Sequence, residues 1–582
     1  MAYEMTKVGN FEVPRLEEVA KPSESVARKV KMELLLGMAV NKESTAKTGS
    51  WRTRTPLFSN MLPPCTDGCP AGIKIRDYLA LVEDGKLAEA AQLLKEDNPI
   101  PAITGRVCYH PCESSCNRKN FDEAIAIHSI ERFVGDYGSG MQMPDKNAVS
   151  GSDKIAIIGS GPAGLSAAFY LAGKGYPVTV FEALPMAGGM LRVGIPAYRL
   201  PRNILDKEIE GIKKLGVEIK TGVTLGKDIT FDSLFQDGYK AIFVATGAHK
   251  ARGVEIPGEN SRGVVNGIDF LRDMHLGKKV KAGKKTVVIG GGNVAIDAAR
   301  SALRLGAVDV TIIYRRTRDE MPAREEEISA CEAEGIKIEY LTAPVRILDK
   351  AGKVTGVECQ RMKLGKPDNS GRKSPVPVSG SEFTIDADMI IPAVGQTPEL
   401  SFIGKDETIK ISAAGTLSAD AKNLLTGRIG VYAGGDVVSG PATVVDAIAA
   451  GKKAALAINA ALKGEPLSEA AEGKVIEYAD LNVDYFTEAP RQKEAELSAG
   501  KRKSSFLEVS AGLEEAEVLS EVKRCFHCGA CNLCEVCSTM CPEGILSAKT
   551  ETGWKPDLDQ CKGCGICANE CPRGALGMAL DR

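Results

Sequence analysis

The sequence predicts an α/β protein in which two dinucleotide-binding domains lie between two cysteine-rich ends. A glycine-rich strand, turn, helix and strand pattern occurs twice in the middle of the chain. Fifteen of the 17 cysteines are bunched, five between Cys65 and Cys116 and ten between Cys525 and Cys571. With 582 residues, the chain is long enough for three or four domains that each bury a core.

Composition narrows the class of protein. The formal net charge is only -2, so nothing indicates nucleic acid or an anionic membrane as a partner. The start MAYEMTKVGNFEVPRL lacks the basic and apolar segments of a signal peptide, and no apolar stretch approaches the roughly 18 residues of a membrane span. We therefore expect a cytoplasmic protein. Thiols are kept reduced there, so the bunched cysteines predict metal or redox centres rather than disulfides.

The first glycine pattern, KIAIIGSGPAGLSAAFYLAGKGYPVTVFEA, begins at Lys154 and predicts a dinucleotide-binding βαβ unit. Gly159 permits the tight turn, Gly161 lets the backbone approach a pyrophosphate, and Gly164 allows close contact between helix and strand. Glu182 follows Gly164 by 18 residues, where an acid would bond a ribose hydroxyl. A chance glycine turn is the alternative, and the strand, helix and acid in register disfavour it.

The second pattern, KTVVIGGGNVAIDAARSALRLGAVDVTIIYRR, ends differently. Its turn carries Gly290, Gly292, Asn293 and Ala295. Aligning VTVFEA with VTIIYRR puts Tyr314 at the position of the acid, followed by Arg315, Arg316 and Arg318. A carboxylate would repel a 2′-phosphate, whereas guanidinium groups bind it. The second site therefore predicts NADP(H), and the alternative is that the arginines only solvate a surface turn.

Further segments resemble the flavoprotein family that has two dinucleotide-binding domains. VYAGGDVVSGPATVVDAIAAGKKAA resembles its second FAD signature, with Gly435 and Asp436 after a strand and a helix that begins near Ala442 or Thr443. The resemblance implies that Asp436 bonds the ribityl or phosphate end of FAD and that the helix N-terminus faces the flavin. AIFVATGA and MIIPAVGQTPEL resemble the strands that cross between the domains. The remaining predicted cofactor-binding residues are Gly188, Gly189, Thr246, Gly247 and Gly395.

The tail holds two C-x2-C-x2-C-x3-C-P runs, the pattern of bacterial two-cluster ferredoxins. In that pattern the fourth cysteine of each run ligates the cluster of the other run. The first predicted 4Fe-4S cluster is held by Cys531, Cys534, Cys537 and Cys571, and the second by Cys541, Cys561, Cys564 and Cys567. Zinc is the alternative, but it explains neither the triple spacing nor the two prolines.

The N-terminal segments TGRVC, PCESSC and IAIHSIERF resemble the small subunit of bacterial glutamate synthase and the related flavoprotein subunit of NADPH-ferredoxin oxidoreductases. This resemblance extends to about residue 475. Those relatives carry two 4Fe-4S clusters in a helical N-terminal domain. The resemblance implies one cluster held by Cys69, Cys108, Cys112 and Glu131. It also implies a helical domain at 1–150, an FAD domain at 151–250 and 385–475, and an NADPH domain at 251–384.

One departure from the relatives leads to a hypothesis. They have a C-x2-C pair just before the cysteine that matches Cys65, and this chain instead has RCFHCG, which contains Cys525 and Cys528. We expect these two to join Cys65 and Cys116 around a fourth cluster, with 476–527 as a linker and 528–582 as the ferredoxin domain. Fifteen cysteines and Glu131 then supply sixteen ligands for four clusters. The alternative is an absent cluster and four free thiols.

These features predict an NADPH-dependent oxidoreductase subunit that moves electrons between NADP(H) and a partner protein through FAD and four 4Fe-4S clusters, within a hetero-oligomeric complex. The expected partner is a redox subunit or a ferredoxin that docks at the C-terminal iron-sulfur domain. No catalytic base is needed, and the five histidines are interpreted as ordinary polar residues. Two alternatives remain. One is a subunit that bifurcates electrons from the flavin to two acceptors, and the other is an electron-relay scaffold with a vestigial nucleotide site. Helices are also predicted in SVARKVKMELLLGMAV and in FLEVSAGLEEAEVLSEVKRC.

Overall fold

A computed structural model describes residues 5–8, 11–14, 48–139, 141, 152–368, 371–404, 406–467, 473–550 and 553–581. The chain divides into two units. The smaller unit comprises Met1–Pro63, Gly473–Glu488 and Phe526–Arg582, and the larger comprises Pro64–Glu472 and Ala489–Cys525. The helix predicted in SVARKVKMELLLGMAV lies outside the described residues.

The first glycine pattern lies in a five-stranded parallel sheet of the larger unit. Its short strands are rich in Val and Ile and are buried on both faces, which requires helices on both sides. The strand order is Val431–Ala433, Tyr239–Val244, Lys154–Ile158, Val178–Glu182 and Glu218–Thr221. The associated helices are Pro162–Gly173, Met190–Val193, Arg202–Lys213, Phe231–Gln236, Asp436–Ser439 and Val444–Lys463.

Two of these helices approach each other closely because small residues face each other. Gly451 in Val444–Lys463 has no room for a side chain, since a Cβ there would lie 2.3 Å from the Ala163 carbonyl oxygen. The Ser166 hydroxyl donates to the Ile448 carbonyl at 2.8 Å across the same contact. This packing brings the C-terminal helix of the sheet beside the helix of the first glycine turn.

The second glycine pattern lies in a four-stranded parallel sheet. The strand order is Lys337–Glu339, Asp309–Ile313, Lys285–Ile289 and Met389–Pro392. Its helices are Gly267–His275, Asn293–Arg304 and Glu325–Ala333. An antiparallel sheet of Thr342–Lys350, Lys353–Pro367 and Lys373–Asp386 follows, and the short crossing strands Lys250–Ala251 and Gln396–Thr397 pair with each other.

The N-terminal part of the larger unit is helical, as predicted. Its helices are Pro64–Asp67, Ile75–Glu83, Leu87–Asp97, Pro101–Val107, Pro111–Ser114 and Ile127–Gly138. Two glycines set the contact between Pro101–Val107 and Ile127–Gly138. A Cβ on Gly105 would lie 2.4 Å from the Arg132 backbone nitrogen, and one on Gly135 would lie 2.5 Å from that of Ala102. Only glycine permits this approach.

The segment 489–525, called here the connecting segment, contains the helices Ala499–Ser504 and Glu515–Val522. The second confirms the helix predicted in FLEVSAGLEEAEVLSEVKRC. Sequence alone indicates a surface linker before that helix, but ion pairs hold the segment in place. Glu508 lies 2.7 Å from the Arg106 guanidinium and 2.9 Å from that of Arg132.

The smaller unit is built from short elements around cysteine turns. Its antiparallel strand pairs are Met5–Val8 with Phe11–Pro14, Arg54–Phe58 with Leu576–Leu580, and Leu546–Thr550 with Gly553–Pro556. Its short helices Val536–Met540 and Ile566–Asn569 each follow a cysteine turn. Across the described residues of both units, no helix is both long and apolar enough to cross a membrane.

Candidate nucleotide and metal sites

A cavity of about 420 Å³ lies at the carboxyl ends of the five-stranded sheet, where ligands bind in open α/β folds. Nine residues predicted from sequence line it: Gly159, Gly161, Glu182, Gly189, Thr246, Gly247, Asp436, Ala442 and Thr443. Residues from three separate stretches of the chain therefore meet around one cavity.

The first turn needs glycine at two positions for steric reasons. Gly159 has φ +106°, and a Cβ there would lie 2.4 Å from the Ala245 carbonyl oxygen. A Cβ on Gly164 would lie 1.9 Å from the Gly159 carbonyl oxygen. No atom from the part of the chain that the structure describes lies within 4 Å of the Cβ position of Gly161. The backbone is thus tightly packed behind the turn and open at the position predicted to face a pyrophosphate.

The carboxylates of Glu182 and Asp436 both line the cavity, and they accept hydrogen bonds from different backbone N–H groups. Glu182 is 6% exposed, accepts the Ser160 backbone N–H at 2.9 Å, and accepts the Leu184 N–H at 2.8 Å. Burial raises the pKa of Asp436 to about 6, although its carboxylate accepts the Ala442 N–H at 3.3 Å. Both carboxylates are placed to accept hydroxyl donors from a ligand.

Two further observations fit a dinucleotide in this cavity. The Thr246 hydroxyl is buried, lines the cavity and has no hydrogen-bond partner among the described residues, so it remains to bond a ligand. Thr443 is the N-cap of Val444–Lys463, and its hydroxyl accepts the Asp446 N–H at 3.2 Å. This long helix therefore begins at the cavity wall, where its N-terminus favours negative charge. The donor set fits the predicted FAD.

Other predicted residues of the first site stand behind the cavity. Gly188 donates its N–H to the Ser160 hydroxyl at 3.0 Å. Gly435 precedes the short helix at Asp436, and Gly395 accepts the Arg252 N–H at 3.0 Å beside the crossing strands. These three residues shape the surrounding turns.

The second turn has the same backbone plan. Gly290 has φ +146°, and a Cβ there would lie 2.4 Å from the Ala393 carbonyl oxygen. Gly292 is the N-cap of Asn293–Arg304, and Ala295 is fully buried against the sheet. Tyr314 packs over Gly291, where a Cβ would lie 2.5 Å from the ring. Its hydroxyl donates to the Glu320 carbonyl at 2.7 Å.

The three predicted phosphate-binding arginines have different surroundings. Arg315 is exposed, and no described residue pairs with it. Arg316 is 4% exposed, with a nitrogen 2.6 Å from the Asp368 carboxylate. Arg318 bridges Glu325 at 2.5 Å and Glu332 at 2.7 Å. Of the three arginines, Arg315 could therefore bind a 2′-phosphate without breaking an ion pair, whereas Arg316 and Arg318 could not.

In the helical part of the larger unit, Cys69, Cys108 and Cys112 converge with Glu131. Burial raises the pKa of all three thiols, that of Cys108 to about 12, and the negative charge of Glu131 raises each of them further. A bound cation reverses this preference because it stabilises thiolates. Three thiols and one carboxylate therefore form a donor set suited to iron.

Glu131 is held in one orientation by neutral donors. Its Oε1 accepts the Asn98 amide at 2.8 Å and the Thr104 hydroxyl at 2.5 Å. Burial raises the pKa of Glu131 to about 7, against the opposing effect of these bonds. The close contact at Gly105 and Gly135 is what brings the Glu131 helix to the cysteines. Neither Asn98 nor Thr104 was predicted from sequence.

Cys65, Cys116 and Cys525 belong to the larger unit, and Cys528 belongs to the smaller one. Within the larger unit, the connecting segment returns to the cysteine-rich helices just before Cys525. The Arg524 guanidinium lies 3.0 Å from the Asp122 carboxylate, and its carbonyl accepts Arg118 at 2.8 Å. Both partners follow Cys116 closely in sequence. Burial raises the pKa of the Cys116 thiol, and the charge of Arg524 opposes this rise.

In the smaller unit, charge interactions join cysteines of both runs. Burial raises the pKa of Cys537 to about 12, and the charges of Cys534, Cys571, Cys531 and Cys567 add to it. Burial also raises the pKa of Cys567 to about 11, with Cys541, Cys564 and Cys561 adding. The last four line one small cavity, and Cys564 is exposed. Cys571 of the second run therefore acts on Cys537, and Cys541 of the first run acts on Cys567.

Part of the cavity lining at the first turn has no sequence signal. Val223, Thr224, His249, Arg272 and Phe402 line it from segments without a motif. Only the three-dimensional fold brings these segments to the sheet edge.

Comparison with known proteins agrees with this geometry. Residues 153–451 match the family model for pyridine nucleotide-disulphide oxidoreductases. Residues 58–143 match that for dihydropyrimidine dehydrogenase domain II with its 4Fe-4S cluster, and residues 554–577 match a 4Fe-4S binding domain. Fold and sites therefore define a flavin- and NADP-binding iron-sulfur oxidoreductase, which confirms the predicted α/β fold class.

Similarity to three named relatives identifies the family more specifically. The NADP(+)-dependent formate dehydrogenase subunit beta of Moorella thermoacetica is 42% identical over 499 residues, covering 80% of this chain and 70% of that protein. The NADPH-Fe(3+) oxidoreductase subunit beta of Geobacter sulfurreducens is 40% identical, covering 80% and 75%. The glutamate synthase [NADPH] small chain of Azospirillum brasilense is 35% identical, covering 71% and 89%. The chain belongs to this family of NADPH-dependent flavin and iron-sulfur oxidoreductase subunits, as its sequence predicted.

Proposed function

We propose that this chain transfers electrons between NADP(H) and a partner protein through one FAD and four 4Fe-4S clusters. The observation that carries the proposal is that one folded unit holds a dinucleotide cavity, a second glycine turn with an exposed arginine, and a converging set of three thiols and a carboxylate. Bound FAD supplies hydride acceptance and single-electron donation.

The residues of the chain bind and orient the cofactors. Glu182 and Asp436, which line the cavity, are proposed to accept hydrogen bonds from FAD hydroxyls, and the helix N-terminus at Thr443 to offer partial positive charge. Gly290, Gly292 and Asn293 offer backbone and amide donors to the NADP(H) pyrophosphate. Arg315 is proposed to bind the 2′-phosphate.

The number of clusters is the sharpest quantitative part of the proposal. Four clusters require about sixteen iron atoms per chain, whereas three require about twelve. For the proposed fourth cluster, the bonds of Arg524 to Asp122 and Arg118 support a position of Cys525 near Cys116 within the larger unit.

We expect Cys525→Ser to lower the iron content of anaerobically purified protein by about four atoms per chain, because a cubane that loses a thiolate ligand is lost or degraded. Cys359→Ser is the matched control, since that thiol is buried in the antiparallel sheet apart from the clusters. Its iron content should equal that of the wild type. A wild type with about twelve iron atoms, or a Cys525→Ser protein with unchanged iron, would contradict the fourth cluster.

The activity is tested by anaerobic oxidation of NADPH with a viologen dye as acceptor. The purified chain should reduce the dye, because the nucleotide site, flavin site and clusters belong to one polypeptide. A protein with full FAD and iron that leaves NADPH unoxidised would favour the relay-scaffold alternative. Reduction of two acceptors of different potential only when both are present would favour bifurcation.

A partner and a compartment complete the proposal. Two relatives are named as beta subunits of NADP(H)-dependent enzymes, so we propose that this chain also works with a partner subunit. Cys564 is the exposed thiol among the proposed tail ligands, which makes its cluster the proposed site of electron exchange. We propose a cytoplasmic location because a reducing compartment keeps the ligand thiols available. Anaerobic co-purification with the full chain would identify the partner.

A further inference from the structure

Tyr109 is a residue of the cysteine-rich helical region that reaches the second glycine turn. It stands directly after the proposed cluster ligand Cys108 and remains 42% exposed. The Asn293 amide donates to the Tyr109 hydroxyl oxygen at 2.8 Å. The two residues are 184 positions apart in sequence, so the contact arises from tertiary packing.

The orientation of the Asn293 amide is fixed by a second bond. Its Oδ1 accepts the Arg324 backbone N–H at 3.2 Å, and a backbone N–H can only donate. The Nδ2 group therefore points to Tyr109. Because the phenolic oxygen accepts this bond, its own proton is directed elsewhere. No described residue accepts that proton, so it is available to an incoming ligand.

The position of Asn293 indicates which part of a ligand lies nearby. Asn293 is the first residue of Asn293–Arg304, and Gly292 is the N-cap of this helix. In a dinucleotide-binding turn, the pyrophosphate lies at this helix N-terminus. A hydroxyl that contacts the side chain of the first helical residue therefore lies beside the pyrophosphate position.

We propose that Tyr109 is a positioning residue of the NADP(H) site. Its hydroxyl oxygen accepts a hydrogen bond from the Asn293 amide, and its O–H group donates a hydrogen bond to a pyrophosphate oxygen of the nucleotide. The inference rests on the proposed function, because it takes the second glycine turn as the NADP(H) site. It makes the loop that carries Cys108 a wall of the nucleotide site. The iron-sulfur region thus completes a site whose glycine motif lies in another part of the chain.

The test compares two ligands by equilibrium binding to the intact protein. NADP+ contains the pyrophosphate, whereas adenosine 2′-monophosphate retains the adenosine and 2′-phosphate without it. Tyr109→Phe should weaken NADP+ binding about tenfold, because it removes a hydrogen bond to a charged group. Binding of adenosine 2′-monophosphate should be unchanged. Tyr137→Phe, which alters an exposed tyrosine of the same helical region, should bind both ligands as the wild type does.

The outcomes separate this inference from the function on which it rests. Unchanged NADP+ binding by Tyr109→Phe, or equal weakening of both ligands, would overturn the inference and leave the NADP(H) assignment intact. A wild type that binds neither ligand would overturn both. Iron and FAD contents equal to those of the wild type should accompany the expected result, since phenylalanine preserves the shape of the ring.

A double-mutant cycle gives a second measurement. Asn293→Ala removes the donor to the Tyr109 hydroxyl from the side of the nucleotide domain. If the two side chains act together, the fold-loss of NADP+ affinity in the double variant should be smaller than the product of the fold-losses in the two single variants. A loss equal to the full product would show that Tyr109 does not act through Asn293 and would overturn the positioning role.

Discussion

The two glycine turns of this chain share a backbone plan and differ at the end of the second strand. At the first turn, Glu182 is buried in the wall of a cavity of about 420 Å³ and is held by the Ser160 and Leu184 N–H groups. At the second, Tyr314 covers the turn, and Arg315 faces solvent. The first turn borders an enclosed cavity, whereas the second has an exposed guanidinium beside it. The contrast suits a retained cofactor at the first site and an exchangeable nucleotide at the second.

The largest expected effect is on the enclosed site. Gly164→Ala should reduce FAD content at least about tenfold, because the new Cβ would lie 1.9 Å from the Gly159 carbonyl oxygen in a region that is packed backbone. Flavin absorbance of the purified protein measures this. Ala295→Gly is the matched change at the second turn, and it should retain FAD because it adds no atom. Full flavin in Gly164→Ala would show that the first turn can move.

An intermediate effect is expected from the exposed cation. Arg315→Ala should lower kcat/KM for NADPH about tenfold and leave that for NADH nearly unchanged, because a charge-assisted bond to the 2′-phosphate is lost. Steady-state kinetics with a viologen dye measure both values. Arg346→Ala is the control, since Arg346 is an exposed arginine of the neighbouring sheet that pairs with Glu358. Equal losses with NADPH and NADH would refute the role of Arg315.

The smallest effect is expected at Arg318. Arg318→Ala should change kcat/KM for NADPH less than about twofold, because its guanidinium is already paired with Glu325 and Glu332 at the surface. The same kinetic assay applies. A loss as large as that of Arg315→Ala would mean that Arg318 leaves its acidic partners to bind the phosphate, and the two arginines would then share the role.

Much of the fold and of the sites was predictable from short stretches of sequence. Both glycine turns lie after the predicted strands, and the helix at Thr443 begins where its signature indicates. The crossed ligation of the two tail cysteine runs stays a prediction. The prediction failed to anticipate the ion pairs that fix the connecting segment, because Glu508 finds Arg106 and Arg132 only after packing. It also gave no reason to separate Arg315 from Arg316.

The sequence by itself determined the turns and the cysteine groups, because each depends on backbone geometry and side-chain spacing within a few tens of residues. Tertiary structure alone decided the partners of individual side chains. Packing pairs Arg316 with Asp368 and forms the hydrogen bond between Asn293 and Tyr109. The close helix contact at Gly105 and Gly135 brings Glu131 to the cysteines. These contacts join residues far apart in the chain, and their geometry depends on how whole helices and sheets pack.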